Sequence, residues 1–121
     1  MATIAATGPV LSDDKTFTVT WEGFTTNGDV GAAVKVGRFA DKTVHSDGAY
    51  GTGGNIVIEG SNNNVAWFPL SDHVGTAIDA LNADTVGALI AENPLWIRPR
   101  LSAGTGTIDI DVILTGAVRG V

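Results

Sequence analysis

The chain has 121 residues, a formal net charge of −6 and a pI near 4.5, and 44% of it is apolar while only 17% is charged. That is one domain's worth of chain, and its 16 glycines among many Thr and Asn residues favour short strands and tight turns, so an all-β fold is expected. Nucleic acid is not expected as a partner, because the seven Lys and Arg residues are scattered from Lys15 to Arg119; the lack of cysteine excludes disulfides and thiolate metal sites.

The N-terminus has neither a positive leader nor a long apolar run, and no window reaches the roughly 18 apolar residues of a membrane span, so neither export by the usual signal nor membrane insertion is expected. Residues 1–14, with Ile4, Val10 and the pair Gly8-Pro9, read as an extended arm that gains order on another surface. The domain proper is expected over 15–116, with a tail at 117–121.

The first clear strand follows Lys15, where Phe17, Val19 and Trp21 alternate with Thr16, Thr18 and Thr20. Asn27-Gly28 marks a turn before a weaker strand carrying Val34, Val36, Arg38 and Phe39, and another turn is expected near Ala40-Asp41. A short strand about Thr43 to His45 leads into a glycine-rich loop of Gly48, Gly51, Gly53 and Gly54. That loop lacks the Gly-Lys-Ser/Thr ending of a phosphate loop and precedes no helical pattern, so no cofactor is expected there.

Ile56 to Gly60 and Val65 to Leu70 read as a hairpin about Asn62-Asn63. Pairing Gly60 with Val65 sets Ile58 opposite Trp67 and Val57 opposite Phe68. Both faces are then apolar, which asks for a cover over the second, either from this chain or from another subunit. The next stretch reads as a long excursion with one helical turn about Ile78, Leu81 and Val86 and a short strand at Gly87 to Ala91. Pro99 cannot donate to a ladder and implies an edge or a bulge.

Leu95 to Thr115 reads as a second hairpin turning at Gly104-Thr105. Ile97, Leu101, Ile108, Ile110, Val112 and Leu114 share its dry face. Its wet face would pair Arg98 with Asp111 and Arg100 with Asp109 in a structural ion-pair ladder.

No catalytic constellation emerges. His45 and His73 stand alone, and Asp109 with Asp111 is read as part of the ladder in preference to a glycosidase pair or a calcium site. Asp13-Asp14, Asp41, Asp47 and Asp72 are loop carboxylates without an Asp-x-Asp-x-Asp-Gly run, and no metal is expected. Trp21, Trp67 and Trp96 read as core or interface anchors more readily than as a sugar-stacking platform.

The runs DVGAAVKVGRFADKTVHSDGAYG, GNIVIEGSNNNVAWFPLSD and AENPLWIRPRLSAGTGTIDIDVILTG, spanning Trp21 to Leu114, resemble small virion proteins of tailed bacteriophages, particularly head decoration (cement) proteins. The same hairpin and Trp-Ile-Arg-Pro-Arg strand also resemble discoidin-like binding modules. The phage resemblance implies a jelly-roll-like β-sandwich that assembles as a trimer on a capsid lattice and contacts the major capsid protein, made in the host cytoplasm and residing in the virion. It supplies no functional residues to carry over. The expectation is a non-enzymatic structural protein with Ile4, Val10, Val57, Trp67, Phe68 and Trp96 as interface candidates. The alternative is a carbohydrate- or ligand-binding β-sandwich, as in a phage adhesin.

Overall fold

A computed structural model describes residues 1–12 and 15–118. Asp13-Asp14, considered above for calcium, and residues 119–121 of the expected tail lie outside the described residues. Within them the chain is all-β, with no helix, and forms one nine-stranded sheet that coils until it is nearly closed into a barrel. The single helical turn expected in the excursion is absent; Gly75, Asn82 and Gly87 interrupt the apolar spacing too often for a turn to propagate.

Two strands of 23 residues each carry the architecture: β6 (Phe39–Ser61) and β9 (Trp96–Val118), antiparallel from Phe39 opposite Val118 to Ser61 opposite Trp96. This overturns the C-terminal hairpin. Residues 95–115 do not fold back at Gly104-Thr105; they run on as one strand, because β6 supplies a partner along its whole length. A row of backbone donors and acceptors satisfied against one long neighbour needs no turn. The glycine-rich stretch is likewise no loop but the middle of β6, where the register shifts repeatedly between Tyr50 and Ile56.

Glycine permits that bend. Gly48 has φ +131°, and a Cβ there would collide with the carbonyl oxygen of Asp109 across the ladder. Gly104 has φ +132°, and a Cβ there would lie 2.7 Å from Ile108 Cδ1 and 2.8 Å from Gly54 Cα. Backbones can approach this closely only because glycine stands at the point of contact on at least one strand, and at Gly54 and Gly104 on both.

The bend divides the sheet. The C-terminal half of β9 pairs with β3 (Thr16–Phe24), which is flanked in turn by β2 (Ala6–Ser12); the N-terminal half pairs with β4 (Val30–Gly31) and β5 (Val34–Lys35). On its other side β6 pairs with β8 (Gly87–Leu89) in its first half and with β7 (Phe68–Pro69) in its second.

Residues 1–12 are therefore not a free arm. β1 (Thr3–Ile4) pairs in parallel with β4, and β2 covers one edge of β3, so the segment is ordered on its own domain. Residues 117 and 118 belong to β9 as well, not to a tail.

Pro99 explains why β4 and β5 are separate. Ile58 directs its N–H and carbonyl to Ile78 and Leu70, away from β9, so its cross-strand partner Pro99 has its backbone groups on the opposite side, toward β4 and β5. With no N–H to give there, the ladder breaks between Val30–Arg100 and Val34–Ile97. Trp21 fills the break: its indole N–H donates to the Ala32 carbonyl at 2.9 Å. Pro99 thus lies in a central strand whose ladder stops on one side, not on an edge.

The core runs through the coil. Phe17, Trp21, Phe24, Ile56, Ile58, Leu101, Ile110 and Leu114 are buried, with Phe17 stacked on Phe39 at 3.8 Å between ring centroids. The excursion closes one side, as Leu70, Ile78, Leu81 and Ile90 turn inward and Leu81 exchanges two backbone hydrogen bonds with Ile56.

Candidate interaction face

On the first half of β9 Ile97, Pro99 and Leu101 point into the core, so Trp96, Arg98 and Arg100 share the outer face. Strand pairing sets their neighbours: Ser61 and Lys35 flank Trp96, Glu59 lies opposite Arg98, and Val57 opposite Arg100. Glu59 bridges both arginines, accepting from Arg98 Nε at 3.0 Å and from Arg100 Nε at 3.3 Å. The Arg98 guanidinium also stacks over the Trp67 ring at 4.1 Å from its centroid.

The ion-pair ladder is therefore real in its arginines and wrong in its acids. Arg98 does not meet Asp111, nor Arg100 Asp109, because those aspartates lie past the bend on the same strand. Asp111 instead faces Asp47, and Asp109 faces Ala49. The partner that alternation missed is Glu59, whose role depends on a pairing between distant segments.

The hairpin at Asn62 exists in a different register from the expected one. Gly60 pairs with Phe68, not Val65, and the connection is longer because Ser61 and Asn63 build it: Asn63 Oδ1 accepts the N–H groups of Val65 and Ala66. Trp67 then leans outward onto Arg98, while Phe68 takes the opposite side of β7 and remains 37% exposed. Neither is a deep core residue.

The other interface candidates separate. Val57 is buried beneath the outer face, Trp96 is half-buried on it, Ile4 packs against the core, and Val10 is 57% exposed on β2. Trp67, Trp96 and Val57 thus converge with Arg98 and Arg100, while Ile4 and Val10 lie elsewhere. Trp21 is fully buried and cannot join any exposed platform.

Past the bend the outer face changes sign. Glu22, Asp109 and Asp111 border a shallow hollow with Gly23, Gly48 and Ala49, and the Asp111 carboxylate accepts the Gly23 N–H at 3.1 Å. Tyr50 nearby shares a hydrogen bond with Ser46 Oγ, and its pKa is raised by burial above all, with Asp84 and Asp47 adding to the effect. Among the described residues no three His, Cys, Asp or Glu side chains are placed to hold a metal ion.

Two buried charged groups were not read from sequence. Asp29 is buried, and its carboxylate accepts N–H groups from Ala2 at 2.8 Å and from Thr25 and Thr26 at 3.0 Å each. Burial alone would raise its pKa; the three hydrogen bonds and the N-terminal ammonium outweigh that and lower it. Lys42 is buried at the start of β6, donating to Asn93 Oδ1 at 2.7 Å and to the Phe39 carbonyl at 3.3 Å.

No protein-family model matches the sequence, and no curated protein matches it. Among solved structures, the crystal structure of the SPBc2 prophage-derived protein YomS is similar in fold, with a TM-score of 0.61 and 16% identity over 89% of this chain and 97% of that one. At that identity the likeness is one of overall fold, and no residue role passes across.

Proposed function

We propose that this chain is a structural, non-enzymatic virion protein of a tailed phage, a head decoration protein that bridges capsid subunits through the outer face of β6 and β9. The observation that carries the reading is the convergence on that face of Trp67, Trp96 and Val57 with Arg98 and Arg100. Aromatic and arginine side chains are the usual anchors of protein interfaces, and here Trp67, Arg98 and Arg100 are held by stacking and by Glu59 before any partner arrives. The fold shared with a prophage-derived protein supports a phage origin. Arg98 and Arg100 make this face locally cationic on an acidic chain, which suits a partner surface of negative charge.

The test is attachment of purified protein to expanded capsids that lack it, followed by co-sedimentation. Trp67→Ala and Trp96→Ala are expected to reduce retention about tenfold or more each while leaving the fold intact, as loss of interface anchors does. Full retention by both variants rejects this face. Binding of glycans with no binding of capsids transfers the face to the carbohydrate reading.

A further inference from the structure

A groove lies at the end of the sheet remote from the bend, lined by Pro9 of β2, by Lys35 of β5, by Gly37 and Arg38 between β5 and β6, by Phe39 at the start of β6, and by Leu95. Its volume is about 490 Å³ and its walls are mainly apolar, with Leu95 43% exposed. Lys35 and Arg38 are its only charged lining residues, and among the described residues neither makes an ion pair. Arg38 is held over the Phe39 ring at 5.0 Å.

The bend presents the opposite chemistry. Asp47 and Asp111 are directly opposed across β6 and β9, Asp109 and Glu22 stand beside them, and the exposed Ala49 faces Asp109. Like charges opposed on one face of a sheet are destabilising, and among the described residues none of these carboxylates has a cationic partner. Phe39 and Asp47 are eight residues apart on one strand, so groove and corner are separated by roughly 25 Å.

From these placements we infer that the groove receives the acidic corner of a second copy of this chain, Asp47 and Asp109 meeting Lys35 and Arg38 while Ala49 enters the apolar floor. Each surface lacks counter-charges of its own and carries those that the other lacks. Because groove and corner are different patches, the contact is heterologous, the kind that builds a ring when its rotation closes. The inference deepens the decoration-protein reading by naming the self-association surface; it stands on residues other than the anchors Trp67, Trp96, Arg98 and Arg100, although Lys35 is the cross-strand neighbour of Trp96.

Light scattering at about 50 µM protein in low salt tests it on four proteins: wild type, Lys35→Glu/Arg38→Glu, Asp47→Lys/Asp109→Lys, and the fourfold variant. Wild type is expected to be a closed oligomer that dissociates at high salt. Each double reversal is expected to weaken association about 100-fold, the scale of close charge pairs at interfaces, and the fourfold variant to restore it. Neutral pairs, Lys35→Gln/Arg38→Gln and Asp47→Asn/Asp109→Asn, give the same answer should a reversal fail to fold. A monomeric wild type, double variants of unchanged mass, or a fourfold variant that stays dissociated overturns the inference. Capsid co-sedimentation separates the two readings: a monomer that binds capsids sinks only the groove, and an oligomer that ignores them sinks only the decoration role.

Discussion

Asp29 is a buried carboxylate with a structural task. It ties the N-terminal residue pair to the turn before β4 by accepting three backbone N–H groups. Asp29→Ala leaves those donors unsatisfied in a buried place and is expected to cost about 2–3 kcal/mol in urea unfolding. Its lowered pKa fixes the sign of the pH effect. The stabilisation is complete above the unfolded-state value of about 3.9 and is lost as pH falls through the lower folded value. Acid titration of the unfolding free energy is therefore expected to show a drop below about pH 4 that is shallower in Asp29→Asn; equal slopes would remove Asp29 from the account. At Trp67 and Phe68 the structure changes the expectation drawn from the alternation. Neither fills the core, so each alanine variant is expected to cost less than about 2 kcal/mol, against about 2–5 for the buried Ile58.

Among the elements, the bend in β6 and β9 gives the sharpest contrast. Gly53 has φ +71° with open space around it, whereas at Gly48 a Cβ meets the Asp109 carbonyl. Gly53→Ala is expected to cost only the roughly 1–2 kcal/mol of a left-handed L-residue, and Gly48→Ala clearly more; thermal unfolding of the pair checks this, and equal costs would contradict the close crossing. Deleting residues 1–12 removes β1 and β2 and uncovers β3, so it is expected to lower the melting temperature by several degrees, where a free arm would leave it unchanged. Legibility divides along the same line. Thr16–Phe24 was plain in its alternation, as were the dry-face residues of β9, because a period of two survives whatever the strand pairs with. The pairing itself was not plain. A hairpin and a long strand with a glycine bend share one pattern, and Arg98, Arg100, Asp109 and Asp111 are spaced as a ladder requires, so only the distant partner Phe39–Ser61 decides between them.

For the whole molecule, one coiled sheet places two outer surfaces of opposite sign on the same pair of strands, an aromatic and cationic one before the bend and an acidic one after it. All-β class was legible from composition; the division of the outer face was not, since it follows from where β6 and β9 turn. Salt is expected to act on both surfaces, weakening capsid attachment as well as self-association. The most direct measurement of the central claim is co-sedimentation of the wild-type protein with expanded capsids lacking it, across a range of protein concentrations. Saturable binding at a fixed number of copies per capsid subunit, lost in Trp67→Ala/Arg98→Ala, is the result the account predicts. Protein left wholly in the supernatant at every concentration would contradict it.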